Sequence, residues 1–158
     1  MNNASTFGST EHAATRTRAQ FPAAAVGGGV ATVVNLAVWT AGRMAGVSFL
    51  VTPVGATAPT PVGALSVGLT TVIAYAVGTG LFALAGRHSG RWARAVLVAG
   101  VVVAVVSPVG PLLAAEDITT GVLLTTMHLV TGAAFITSAK RRFQAQFSTP
   151  HPAPTPLR

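Results

Sequence analysis

The 158-residue chain contains no cysteine. Disulfides, thiolate metal sites, cysteine nucleophiles and thiol redox chemistry are therefore excluded. Charge is almost as scarce. Lysine, arginine, aspartate and glutamate make up 8% of the residues, against roughly 25% in soluble domains. So few charges cannot coat a globule, and most of the surface is expected to meet lipid. Only three residues are acidic, and the formal net charge is +7. A basic chain raises nucleic-acid binding, but the basic residues stand at the ends of apolar segments and no basic-and-aromatic motif accompanies them. Nucleic acid is excluded as a partner on that placement. Walker loops, dinucleotide fingerprints, zinc-helix motifs and nucleophile elbows are also missing. Gly27-Gly-Gly29 lies inside an apolar run, where it serves packing and not phosphate binding.

What the chain does have is apolar length. Hydrophobic residues make up 51% of it, gathered into four runs at about 22–42, 62–85, 92–111 and 119–139. A span needs about 20 residues. The first run, with Arg16 and Arg18 before it and Ala41-Gly42 near its end, has the outline of a signal peptide. It exceeds the ~7–15 residues of a signal core, which favours a retained span. Pro22 suits a first helical turn. The third run is Val-rich enough to suggest a strand, but an open strand in lipid leaves backbone groups unpaired. Ser107-Pro-Val-Gly-Pro111 then kinks or ends that helix.

The flanks set the orientation. Lys and Arg near the spans count two before the first, one in the first loop, three in the second, none in the third and three after the fourth. The positive-inside rule places both termini and the middle loop in the cytoplasm. The expected fold is all-α: a transmembrane four-helix up-down-up-down bundle over 21–142. A disordered cytoplasmic tail precedes it over 1–20 and a Pro-rich cytoplasmic tail follows over 143–158. The tail carries Pro150, Pro152, Pro154 and Pro156. It suits a solvated segment better than a ligand for a proline-binding domain.

Faces follow from helical spacing. Gly28, Ala31, Asn35, Val38 and Gly42 share one stripe of the first segment, and Thr71, Tyr75, Gly78, Thr79 and Phe82 one face of the second. Gly100 and Ala104 form a small-xxx-small pair in the third. In the fourth, Thr125, His128, Thr131 and Gly132 form the expected seam, with Val122, Leu129 and Ile136 toward lipid. The connection from Arg43 to Pro61 holds Pro53, Pro59 and Pro61, so it is not one helix. It is either a cap that lies on the end of the bundle or dips into the interface, or a plain extracellular loop.

Chemistry has few places to sit. His128 lies mid-span, where an ionisable group is costly. It is either a proton, metal or ligand contact or a neutral histidine bonded across the bundle to Thr125, Asn35 or Tyr75. Haem held between two histidines needs a second intramembrane His, and there is none. Asn35 is a candidate interhelical hydrogen bonder. Arg43, Glu116 and Asp117 belong at the outer interface, as an ordinary pair or as the rim of a polar pocket above His128. Arg87, Arg91, Arg94 and Lys140-Arg-Arg142 suit anionic lipid headgroups.

Gly46-Val-Ser-Phe-Leu-Val-Thr-Pro-Val-Gly55, Ser107-Pro-Val-Gly-Pro111 and Thr126-Met-His-Leu-Val-Thr-Gly132 resemble the pattern of a bacterial family of four-span membrane proteins catalogued as a domain of unknown function. The resemblance covers about Pro22 to Arg142. It implies a four-helix integral membrane domain and brings no activity or catalytic residue with it. The expectation is a non-enzymatic packing or interaction subunit of the cell membrane, without cofactor or metal. Its partners would be the lipid bilayer and a second copy or another membrane subunit. The alternative is a small-molecule or proton-handling protein with an outer-leaflet polar site at His128, Asn35, Arg43, Glu116 and Asp117.

Overall fold

Runs of Ala, Val, Leu and Gly satisfy their backbone groups internally by coiling, the solution that lipid allows. In the computed structural model, which describes residues 8–147 and their side chains from Ala25 onward, they form helices α1 (Gly8–Met44), α2 (Ala64–His88), α3 (Gly90–Val106) and α5 (Ile118–Phe147), with a short α4 (Val109–Ala114) and strands β1 (Leu50–Val51) and β2 (Thr60–Pro61). Among the described residues four stretches are long and apolar enough to cross a membrane: Ala25–Met44, Ala64–His88, Gly90–Ala114 and Ile118–Phe147. Helix α5 packs on α1, α2, α3 and α4. The all-α expectation holds for the spans, and the strand pair is the addition.

Helix ends depart from the flanking charges. The segment expected as a tail over 1–20 is helical from Gly8, and residues 1–7 lie outside the described part. Ala13, Ala14 and Ala19 favour that extension. Pro22 consequently sits inside α1 and not in its first turn. At the other end α5 continues past Ala139 to Phe147, so only 148–158 of the expected Pro-rich tail stands beyond it, outside the described residues. The ring centroids of Phe143 and Phe147 lie 4.8 Å apart, and the Arg94 guanidinium lies 5.8 Å from the Phe143 ring centroid. One residue, Ser89, separates α2 from α3. Its hydroxyl accepts from the Trp92 amide.

The buried face of α1 is the one expected: Gly28, Ala31, Asn35 and Gly42 are buried and Val38 is half-buried. On α2, Thr71, Tyr75 and Phe82 are buried, with Gly78 and Thr79 half-buried. Tyr75 lies where a side chain on Gly27 or Gly28 would stand. The Phe135 ring fills the space beside Gly78 and Gly100, and Gly132 brings α5 against Ala104. The α5 face is rotated from expectation. Its buried residues are Thr120, Gly121, Leu124, Met127, Phe135 and Ala139. Thr125, His128, Thr131 and Gly132 are only half-buried, and Ile136, expected toward lipid, packs on the core around Tyr75 and Phe135.

The Arg43–Pro61 connection is a cap. Pro53, Pro59 and Pro61 leave it extended, with Leu50 opposite Pro61 and Val51 opposite Thr60. The Thr52 amide donates to the Ala114 carbonyl (2.7 Å) and the Glu116 amide to the Leu50 carbonyl (3.1 Å). These bonds knit the first loop to the third. Phe49 is fully buried at φ 53 and meets Trp39 at 6.1 Å between centroids. The Trp39 indole donates to the Val62 carbonyl (2.9 Å).

Candidate functional site

Asn35 lies midway along the α1 span and is 1% exposed. Its Nδ2 donates to Thr71 Oγ1 (2.9 Å), Thr131 Oγ1 (2.9 Å) and the Met127 carbonyl (3.2 Å). One amide therefore joins α1, α2 and α5. The threonines are pre-set for this, because each spends its proton on its own helix. Thr71 donates to the Val67 carbonyl (2.8 Å) and Thr131 to the Met127 carbonyl (2.9 Å). Their lone pairs are left to accept. Asn35 Oδ1 is buried without a partner.

His128 borders the same spot. A cleft of about 80 Å³ is lined by Asn35, Thr70, Thr71, Met127, His128 and Thr131, among others. His128 does not bond across to Thr125, Asn35 or Tyr75. Its Nδ1 lies 2.8 Å from the Leu124 carbonyl of its own helix, which requires the proton on Nδ1 and makes Nε2 the acceptor of the neutral ring. Thr125 instead donates to the Pro108 carbonyl (3.2 Å), and Tyr75 to Ser138 Oγ (2.8 Å).

The structure splits the expected site in two. Asn35 and His128 share the interhelical cleft, while Arg43, Glu116 and Asp117 belong to the cap. Arg43 does not turn to the carboxylates. Its Nη1 donates to the carbonyls of Val47 (3.1 Å) and Ser48 (3.2 Å), holding the turn where α1 ends. Glu116 accepts from the Thr52 hydroxyl. Asp117 accepts from the Thr120 amide (2.8 Å), the Thr120 hydroxyl (2.7 Å) and the Ser48 hydroxyl (3.3 Å), so it caps α5 and ties it to the first loop. Ser48, Thr52 and Thr120 carry no signal in the sequence beyond lying near the ends of spans.

The Thr120 amide, then the Thr120 hydroxyl, hold the Asp117 carboxyl below its ordinary range. Desolvation opposes them, and Ser48 and the Thr119 amide add to the lowering. A depressed folded pKa gives stability that is complete above the ordinary carboxylate value and is lost as pH falls through the folded one. The melting temperature in detergent is expected to be level down to about pH 5 and to fall below about pH 4. Asp117→Asn should lower it near neutrality and flatten the acid fall. An unchanged acid fall in that variant would remove Asp117 from the linkage.

Among the described residues no three His, Asp or Glu side chains come together to hold a metal ion. A larger hollow of about 900 Å³ opens between α1 and α2, with Arg87 and Arg142 on its lining. Sequence reasoning missed it, and the only trace was glycine at Gly29 and Gly80. No curated protein and no solved structure matches the chain. A family model does match, over residues 13–145, starting before the resemblance at Pro22 and ending close to it. With four helices fit to cross a membrane and a match over most of its length, the chain belongs to the family of unknown function DUF6069.

Proposed function

We propose that this is a non-enzymatic integral protein of the cell membrane: an up-down-up-down four-helix bundle with both termini in the cytoplasm, whose role is to pack against a second copy or another membrane subunit. The observation that carries the proposal is α3. Gly90–Ala114 has the highest mean hydropathy of the four spans, 2.4, yet Ala93 is the only buried residue of α3. Val98, Val102 and Val105 recur at helical spacing along α3, Val109 follows at the start of α4, and all four are exposed. A helical valine holds essentially one rotamer, so such a stripe loses little entropy when another helix packs on it. The interior supports the same role, since Asn35, Thr71, Tyr75, Thr131 and His128 all spend polar atoms on bonds within or between helices. A site at His128 has less support, with Nδ1 taken by its own helix and the acidic pair engaged in the cap.

The natural absence of cysteine makes the test direct. Val102→Cys, oxidised in native membranes, is expected to give a cross-linked product: a dimer, or a larger adduct if the partner is another subunit. Val77→Cys, on an exposed position of α2, should give much less. Equal or absent cross-linking at the two positions would overturn the packing role of α3.

A further inference from the structure

The groove between α1 and α2 has walls made of small residues. Gly29 of α1 and Gly80 of α2 both line it. Glycine inside a helix is less stable than alanine, so its presence usually answers a close contact. Gly27, Gly28 and Gly78 have such contacts, with Tyr75 and Phe135. Gly29 and Gly80 do not: a Cβ on either would find no atom within 4 Å. Their smallness keeps the hollow open. At about 900 Å³ it falls within the ~300–1,000 Å³ of small-molecule sites. Along α2 the lining runs from Val72 through Ala76 and Gly80 to Arg87. That is about 22 Å at the helical rise, more than the ~15 Å depth of one leaflet's hydrocarbon.

One end of the groove is polar. Arg87, in the last turn of α2, is exposed. It lines the groove together with Arg142 and Gln146 of α5. An apolar trough in lipid is filled by acyl chain whatever its shape. A trough that ends in two arginines and an amide also selects the headgroup, since basic pockets between spanning helices hold anionic lipid heads. We infer that the α1–α2 groove is a binding site for one anionic phospholipid, its acyl chain beside Gly29 and Gly80 and its phosphate at Arg87 and Arg142. A helix from a second copy fits less well, because it would bring apolar side chains against the arginine end. The lining comes from α1, α2 and α5, so this site is separate from the valine stripe of α3.

The test is native mass spectrometry of the full chain in detergent, given equal amounts of phosphatidylglycerol and phosphatidylcholine with matched chains. Wild type should retain one lipid, with phosphatidylglycerol favoured by about fivefold or more, the scale of one arginine's attraction to an anionic surface. Arg87→Gln should bring that preference toward parity. Gly80→Leu should lose the retained lipid. Gly68→Leu, which is equally free of neighbours but outside the lining, should keep it. Circular dichroism checks the fold, and Gly29→Leu replaces Gly80→Leu if the latter unfolds. Retention that is absent, indifferent to headgroup or unchanged by filling the groove would overturn the site. So would a wild-type dimer that excludes lipid and dissociates on Gly80→Leu.

Discussion

Asn35→Asp is expected to destabilise the protein by about 3 kcal/mol, the order found for an acidic side chain placed mid-span. Asn35→Leu should cost less. The two hydrogens of Asn35 Nδ2 face three acceptors, on Thr71, Thr131 and Met127. Both threonine protons are committed to carbonyls one turn back, so only a donor can answer them, and the amide offers it through Nδ2. That fixes the amide's orientation and explains why Oδ1 is the atom left over. Aspartate has nearly the same shape but sets an oxygen against these oxygens. It must also either bury its charge or take up a proton. Leucine loses the interhelical bonds, at about 0.6–2 kcal/mol, but it also removes the orphaned oxygen, whose burial costs about 1–3 kcal/mol. Thermal unfolding in one detergent ranks the variants. If leucine proves worse than aspartate, the Nδ2 clasp is not what joins the three helices.

How far the sequence foretold this arrangement depends on what each residue type can do in lipid. On α1, small residues at three- and four-residue spacing marked the buried stripe. Glycine in a helix lowers stability unless a neighbour needs the room, and Gly28 and Gly42 have such neighbours. On α5 the polar stripe is only part of the seam: Thr125 reaches the Pro108 carbonyl, Thr131 meets Asn35 and Gly132 meets Ala104, but these residues and His128 are half-buried, and the most buried face lies around Leu124, Met127 and Phe135. The offset has a physical source. A hydroxyl can return its proton to its own helix, as exposed Thr126 does to the Val122 carbonyl, so threonine can face lipid without an orphaned group. His128 does the same through Nδ1. Polarity at one position therefore does not say which way a helix faces.

The cap and the helix ends were less legible. Prolines announced that the first loop is extended, but its partners, Ala114 and Glu116, lie some sixty residues away and no local pattern points to them. Arg43, Glu116 and Asp117 all bond to the cap at one end of the spans. Opposite charges suggested pairing, yet carbonyls and hydroxyls within reach claimed each group first. Basic residues marked where the apolar runs stop, and the helices carry on, since a helix leaving the hydrocarbon has no reason to unwind while its residues favour it.

Phe49 holds the cap to the helices, and its seat is Gly42. A Cβ on Gly42 would stand 2.6 Å from Phe49 Cζ and 2.8 Å from Leu123 Cδ1, closer than real contacts allow, so Gly42→Ala must push the ring out. Phe49 resists because it is fully buried and held at φ 53, a backbone conformation that itself costs about 1–3 kcal/mol. Phe49→Ala is expected to cost about 3 kcal/mol, the low end for a buried phenylalanine, since alanine keeps the strained backbone and loses the ring. The informative experiment is the cycle. With Phe49 present, Gly42→Ala should destabilise. In the Phe49→Ala background the obstructing ring is gone and Leu123 can turn its methyl aside. The same substitution should then stabilise by about 0.5–1 kcal/mol through the helix preference of alanine over glycine. A sign reversal between backgrounds is a coupling that only direct contact explains readily. Equal effects in both would mean that the ring is not seated on α1. Trp39 fluorescence reports on the same event, because its ring packs beside Phe49 and should become wetter when the ring leaves. In the double variant the cap would be held by its backbone bonds to Ala114 and Glu116 and by the side-chain bonds of Ser48, Thr52, Arg43 and Trp39, so its stability measures what these bonds supply without the aromatic anchor.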